Sequence, residues 1–444
     1  MKFKKFGKAL LMSALSAGVI LSVTSCVQSY TVGYLYVTGT VTASTGSNGI
    51  VSGFKIDHNT GNLVPIIGLP VASGGANPVR AVLLTGSRFL YVLNQGVNGL
   101  GNASCFGVTG SNVCQNSNLT QFSVGGNGVL SAQPEPFYPQ GLNSIRMVAD
   151  TSGSFILVLD HDAPSVAVCQ AALGNSVTSC GDISVFSVNS TTGRLSVVQN
   201  AQLSSQLGFP VTYFPVPANP IDFVLASGQL LTVSGTPATG DSVFPYTYNS
   251  SSGQLTNSSN SSQPMNTYQA TAIVNGNGNI YLLDNEAPSP NPTGASSQIL
   301  PFTLGNSGAL QAQTGGIVAD DSTLSNPIFL LVESKSKFLY VANQGNNVTG
   351  NNNSNSGLAA YFITNSPAFQ LSFIAGEPFG LGSGPRCLVE DPSDQFIYSA
   401  NSLDSTVSGL VVDPNSGVLV NLRVASSFAL QGPATWCLVD GRTS

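Results

Sequence analysis

Apolar and polar positions alternate in short bursts along this chain, and the bursts recur. An apolar-aromatic triplet appears seven times: Tyr34-Leu35-Tyr36, Phe89-Leu90-Tyr91, Phe155-Ile156-Leu157, Leu230-Leu231-Thr232, Ile280-Tyr281-Leu282, Phe338-Leu339-Tyr340 and Phe396-Ile397-Tyr398. After each comes a segment of period two (51–54, 119–122, 183–186, 243–246, 299–302, 358–361 and 407–410), which predicts a half-buried strand. A turn with Gly-x-Leu then follows: Gly61-Asn62-Leu63, Gly128-Val129-Leu130, Gly193-Arg194-Leu195, Gly253-Gln254-Leu255, Gly308-Ala309-Leu310 and Gly417-Val418-Leu419. The sixth copy departs, reading Phe369-Gln370-Leu371.

Most copies open with a further phrase: Asn77-Pro78-Val79-Arg80, Asn143-Ser144-Ile145-Arg146, Asn219-Pro220-Ile221-Asp222, Asn326-Pro327-Ile328-Phe329 and Gly384-Pro385-Arg386-Cys387. Each leads into a short apolar run. A unit is therefore four short strands, a to d, with the triplet as strand b. Self-similarity at this spacing means one supersecondary unit used many times. The unit runs to roughly 50–75 residues, at or above the length of a four-stranded propeller blade, and the excess lies in loops. The 48 Gly and 25 Pro leave no room for a long amphipathic helix beyond the first residues.

The ends are complementary. Trp436-Cys437-Leu438-Val439-Asp440 reads as a strand a with nothing after it, and Tyr34-Leu35-Tyr36 as a strand b with nothing before it. Joined, they complete a blade; a solenoid would need polar caps instead. The expected fold is all-β, a seven-bladed β-propeller of four-stranded antiparallel blades over 33–444, closed by N- and C-terminal strands in one blade.

Residues 1–25 read as a targeting segment. Lys2, Lys4, Lys5 and Lys8 precede an apolar run too short to span a bilayer well, closed by small residues before Cys26. The pattern resembles a bacterial lipobox. It implies cleavage before Cys26, lipidation of that cysteine, a 26–32 linker, and a monomer anchored in the cell envelope, at the outer membrane or cell surface.

Charge narrows the partners. The whole chain carries 14 Lys+Arg against 20 acids, a net −6; loss of the four leader lysines leaves 10 against 20. Phosphate-backbone binding needs a basic face, so nucleic acid is excluded as a partner. Only 8% of residues are charged, against about a quarter in ordinary domains, so amides and hydroxyls supply the surface polarity.

Six cysteines remain after Cys26, an even number in an exported chain. Cys105 and Cys114 share one loop and Cys169 and Cys180 another. Cys387 and Cys437 fall at matching positions in strands a of adjacent blades. That last bond would staple the closure, worth roughly 3–4 kcal/mol in the chain-entropy account. Without a Cys/His cluster, phosphate loop or nucleophile elbow, the reading includes no metal, no cofactor and no named catalytic residue.

In a propeller the b–c and d–a connections share one face. The long insertions 96–118, 161–182, 286–298 and 343–357 are all b–c, so one face carries nearly all the excess sequence. Long loops on a rigid scaffold are where binding concentrates. Aligned strands a predict a ring around the channel of Arg80, Arg146, Asp222, Phe329, Cys387 and Cys437, with the fifth blade near Thr271; Arg386 is one position off. Arg80, Arg146, Asp222 and Arg386 are the ligand-binding candidates, because guanidinium groups hold carboxylate or phosphate in two-point geometry. Glu390-Asp391 and Asp320-Asp321 are sequence neighbours that point to opposite faces of a strand, so neither is an acid/base dyad.

Phe338-Leu339-Tyr340-Val341-Ala342-Asn343, Gly384-Pro385-Arg386 and Asp413-Pro414-Asn415-Ser416-Gly417 resemble the lactonase family of seven-bladed propellers, which includes 6-phosphogluconolactonase-like and muconate-cyclising enzymes. The family's enzymes carry Gly-Pro-Arg-His at the start of a strand a; here Cys387 stands at the His position. The chain has two histidines, His58 beside a c–d turn and His161 in a b–c loop. The resemblance with the loop pattern implies a lipid-anchored lactonase-like propeller that binds a small molecule, glycan or protein through its long-loop face. The alternative it implies is a lactone hydrolase or isomerase using an arginine-lined channel.

Overall fold

The computed structural model describes residues 30–41, 48–84, 88–98, 114–115, 117–260, 262–285, 297–313, 315–346, 353–364 and 370–441. Seven antiparallel sheets form the blades. Blade 1 takes strand a from the C-terminus (Ala434–Asp440) and strands b to d from the N-terminus (Thr31–Thr40, Gly49–Asp57, Leu63–Pro65). Its closing register pairs Tyr34 with Asp440 and Thr38 with Trp436. Blade 2 runs Pro78–Leu83, Phe89–Asn94, Asn118–Val124 and Leu130–Ala132. Blades 3 to 7 repeat the order from strands a at Leu142–Ala149, Pro220–Ala226, Gln269–Gly276, Pro327–Val332 and Pro385–Glu390. In five blades a short extra strand pairs with strand c; in blade 3 it is Phe214–Val216.

The repeated phrase is a code for packing one blade on the next. Each Gly-x-Leu glycine has positive φ, from +68° at Gly61 to +82° at Gly128, which disfavours any side chain. At five of the six, the aromatic that opens the triplet of the neighbouring blade fills the space a side chain would take; at Gly308 it is Pro245. A Cβ at Gly417 would meet Phe338 at 2.5 Å, one at Gly193 would meet Phe89 at 2.6 Å, and one at Gly61 would meet Phe396 at 2.5 Å. Where the triplet ends in Tyr, its hydroxyl donates to that same glycine's carbonyl. Tyr36 bonds Gly128 at 2.7 Å, Tyr340 bonds Gly417 at 3.0 Å and Tyr398 bonds Gly61 at 2.6 Å; Tyr91 bonds Gly193 likewise. Blades 3 to 5 end the triplet in Leu157, Thr232 and Leu282 and lack this bond.

The c–d turns are Asx turns. The Asp57 carboxylate accepts the Asn59 and Thr60 N–H groups at 3.1 and 2.9 Å, and Asp413 accepts those of Asn415 and Ser416. The segment 57–62 is therefore a turn, held by its own side chain.

Two short helices lie among the described residues, α1 (Val166–Leu173) in the b–c loop of blade 3 and α2 (Ala201–Leu207) in the following d–a connection. Hydrophobic periodicity does not foretell either. They are two turns long, and they hold through tertiary packing of Val168, Leu203, Val211 and Tyr213. Asn200 caps α2 by accepting the Leu203 N–H at 3.1 Å.

The Cys169–Cys180 and Cys387–Cys437 bonds are formed, with Cα atoms 5.9 and 6.0 Å apart. The pair Cys105–Cys114 lies outside the described residues. Cys387 and Cys437 do not occupy matching positions. Cys387 pairs with Ala400 just after a bulge, and the residue so placed in blade 1 is Trp436, opposite Thr38. Successive strand residues face opposite sides of a blade. Cys387 therefore points toward blade 1 and Cys437 back toward blade 7, and the offset of one is what lets the sulfurs meet.

Candidate functional site

Every strand a carries a β-bulge at its start. The register shifts at Pro78/Arg80, Ser144/Arg146, Pro220/Asp222, Ala270/Ala272, Pro327/Phe329, Pro385/Cys387 and, in blade 1, Thr38/Gly39 opposite Trp436 and Ala434. Immediately upstream, Asn77, Asn143, Asn219 and Asn326 adopt φ of +53° to +60°, and Gly384 +69°. Asn tolerates this region better than other side chains, which explains the Asn-Pro phrase. The corner is closed from the end of strand b: the N–H groups of Gln95, Gln344 and Ser402 donate to the carbonyls of Asn77, Asn326 and Gly384 at 2.8–2.9 Å. Bulge and corner together aim side chains into the channel mouth.

The register gives the ring as Arg80, Arg146, Asp222, Ala272, Phe329, Cys387 and Trp436. One expected member is thus corrected, Trp436 replacing Cys437, and the fifth, expected near Thr271, falls on Ala272, Thr271 being the bulged residue of its blade. Neither strand carries the Asn-Pro marker. Trp436 touches side chains of two other blades. The Arg80 guanidinium stacks 3.5 Å from its ring centroid, Phe329 meets it edge-on at 5.2 Å, and its Nε1–H donates to the Ala81 carbonyl at 3.2 Å. Stacking of this kind holds a guanidinium flat while leaving its edge donors free.

A cavity of about 390 Å³ opens above this layer, on the face where strands a begin and strands b end. Arg80, Arg146 and Arg386 line it with Asn48, Asn77, Gln95, Ser402 and Thr435, over apolar Val79, Ile328 and Pro433. Three of the four candidate residues, Arg80, Arg146 and Arg386, share this lining, and Asp222 joins them only through Arg146. Arg146 Nε donates to Asp222 Oδ1 at 3.2 Å, and Asp222 also accepts the N–H groups of Phe223 and Ile273, so this pair neutralises itself. Arg386 meets only neutral groups: the Gln344 amide oxygen at 2.9 and 3.1 Å, once that amide is oriented to accept, and Ser402 Oγ at 3.4 Å. Arg80 has no carboxylate partner among the described ion pairs. Burial pushes the Arg80 pKa well below its ordinary value, with Arg146 adding to the effect and Asp222 opposing it; burial lowers Arg386 likewise. The Arg80 and Arg386 guanidinium groups thus sit in a small, partly desolvated cavity with no carboxylate bonded to either among the described residues, on a chain of net −6.

No His, Asp or Glu lines this cavity among the described residues. His58 stacks on Tyr30 at 4.3 Å beside the blade 1 c–d turn, on the opposite face. His161 Nδ1 lies 3.1 Å from Asp162 at the outer end of blade 3 strand b. Of the four long loops, 161–182 is described; most of 96–118 and 286–298 and the middle of 343–357 lie outside the described residues. Glu390 and Asp391 hold separate partners. Asp391 caps its own a–b turn, and Glu390 accepts the Ser334 N–H of the neighbouring blade at 2.7 Å.

Among the described residues no three His, Cys, Asp or Glu side chains cluster as metal ligands, and no helix is long and apolar enough to cross a membrane. One titratable pair was not singled out in the sequence. Asp160 and Asp182 face each other at the last rung of strands b and c in blade 3, both fully buried. Burial pushes the Asp160 carboxyl up to about 7 and raises Asp182 well above the usual range, with Asp160 adding to the latter.

Ring, cavity and closure define a seven-bladed propeller with a cationic channel mouth. The chain folds as a seven-bladed propeller, and its residues 325–436 match the family model described as Lactonase, 7-bladed beta-propeller. No curated protein sequence matches it. Among solved structures it is similar to a putative 6-phosphogluconolactonase from Bacteroides fragilis (12% identity, TM-score 0.64, 92% of this chain and 98% of that one). It is similar also to the periplasmic gluconolactonase of Pseudomonas aeruginosa (16%, 0.61, 92% and 99%). A hypothetical selenium-binding protein from Sulfolobus tokodaii shares the fold at 11% identity and TM-score 0.57, over 94% and 95% of the two chains. At these identities the likeness is one of fold.

Proposed function

We propose that this protein is a lipid-anchored binding propeller whose ligand is a small, hydroxylated anion of the sugar-acid type, held in the channel-mouth cavity. The observation that carries the reading is the pair Arg80 and Arg386, two guanidinium groups without a carboxylate in a cavity of about 390 Å³. A bound carboxylate or phosphate supplies the missing charge, and charge-assisted hydrogen bonds to it are about twice as strong as neutral ones. Asn48, Asn77, Gln95, Ser402 and Thr435 offer donors and acceptors to hydroxyl groups. The long-loop face is then the entrance to this cavity, and Cys26 holds the propeller at a membrane.

Lactone hydrolysis is the second reading, supported by the family match and by the gluconolactonase name of one structural neighbour. It needs a group that activates water, and arginine at its ordinary charge is no general base. Binding is therefore favoured. Calorimetric titration of the mature protein with gluconate and 6-phosphogluconate, beside a lactonase assay, separates the two. Saturable binding without turnover supports the proposal; turnover that Arg80→Gln abolishes replaces it with the enzyme. A Cys26→Ser variant should leave the membrane fraction; unchanged membrane association would remove the anchor from the account.

A further inference from the structure

In three of the seven blades the last rung of strands b and c, at the long-loop end, sets a side-chain donor against an acceptor, and blade 3 does not. In blade 2 this rung pairs Asn94 with Asn118, and the Asn94 amide donates to Asn118 Oδ1 at 2.9 Å. In blade 5 it pairs Asp284 with Gln298, whose amide donates to the carboxylate at 2.8 Å. In blade 7 it pairs Asn401 with Thr406, bonded at 3.0 Å. Each of these rungs sets a donor against an acceptor. In blade 3 the rung is Asp160 opposite Asp182, acceptor against acceptor.

The surroundings favour one carboxylate over the other, and the Ser184 hydroxyl beside both meets hydrogen-bond geometry only toward Asp160. Asp160 accepts from the Ser144 hydroxyl and from Ser184 Oγ at 3.3 Å. Both Asp182 carboxylate oxygens are buried with no hydrogen-bond partner. Neither residue takes part in an ion pair among the described residues. Both side chains crowd Gly141: a Cβ there would lie 2.1 Å from Asp182 Oδ1 and 2.9 Å from Asp160 Cγ. A single shared proton would satisfy one Asp182 oxygen and leave the other orphaned beside a residual charge. A divalent cation neutralises both carboxylates and engages all their free oxygens.

We propose that the Asp160–Asp182 rung is a cation site that takes a hard, oxygen-preferring divalent ion of the calcium class. Four carboxylate oxygens and the hydroxyls of Ser144 and Ser184 form an oxygen-only ligand set, the chemistry calcium selects. Asp162, two residues further on with its side chain 36% exposed, leads from solvent to the rung. The loop between Asp162 and Gly181 roofs the site and is closed by Cys169–Cys180, so the ion would join strands b and c beneath that loop.

The test uses the full mature chain. Protein stripped on a chelating resin is dialysed against calcium chloride, and its metal content and melting temperature are measured. Wild type should retain one equivalent of calcium and melt higher with it than with chelator. Asp182→Asn recreates the amide–carboxylate rung of blade 5; it should retain no calcium and melt at the same temperature with or without it. Asp182→Ser, the residue blade 4 carries one rung past Val233–Val243 (Ser242, opposite Ser234), gives the same readout should the Asn variant fold poorly. The proposal is overturned if wild type retains no calcium and is indifferent to chelator, which leaves a proton as the occupant. It is overturned equally if either variant binds calcium as wild type does.

Discussion

Removing one hydroxyl from the blade-to-blade code tests the account of the fold. In Tyr340→Phe the ring stays, and only the donor to the Gly417 carbonyl at 3.0 Å is lost. Both groups are buried, so the net hydrogen bond, about 1 kcal/mol, goes, and the carbonyl is left partly unsatisfied. The expected cost is about 1–2 kcal/mol. Spread over the unfolding entropy of a propeller of this size, that lowers the melting temperature by only about 2 °C, so urea denaturation with an unchanged m value is the better assay. Tyr281 is the control. It is equally buried, and its hydroxyl makes no hydrogen bond to the protein among the described residues, so Tyr281→Phe should leave the midpoint unchanged. If the two variants shift the midpoint alike, the clasp is not what the Tyr of the triplet contributes.

Three further outcomes are expected. Gly417→Ala combines a side chain at φ +71° with a 2.5 Å approach to Phe338, and should cost about 2–4 kcal/mol in the same urea assay. Asp320 is buried, accepts from Tyr361 at 2.5 Å, and burial raises its carboxyl to about 6 from 3.8. Folding therefore favours its protonated form: the contribution, on the order of 3 kcal/mol, is full below the unfolded value and is lost as pH rises through about 6. Asp320→Asn should flatten that fall in a series of midpoints against pH. Replacing Cys387 and Cys437 together by Ala should lower stability by about 4 kcal/mol, as expected for a crosslink spanning 50 residues, and a loss under 1 kcal/mol would show that the terminal strands hold the ring without it.

Much of this was legible because a propeller repeats its constraints. Gly-x-Leu recurs because each turn needs a positive φ and all but the Gly308 turn receive an aromatic of the neighbouring blade, and split ends announce the closing blade. The arginines at the channel mouth were legible because Asn-Pro marks the corner that aims them. Where the marker is missing, near Thr271 and at Ala434, the register is not marked, and the ring position of Trp436 went unseen behind Cys437. The Asp160–Asp182 rung is invisible in one dimension, since it pairs residues 22 apart across a loop. Helices α1 and α2 are too short for periodicity to mark them.

The chain's single tryptophan stands under the proposed ligand, stacked on Arg80. Fluorescence of Trp436 during titration with 6-phosphogluconate therefore reads the cavity directly. The account predicts a saturable change in wild type, and at least about 30-fold weaker binding in Arg80→Gln and in Arg386→Gln, as expected for loss of a charged hydrogen bond worth about 2 kcal/mol. A flat titration in wild type, or one that both variants reproduce, would contradict an anion site at the channel mouth.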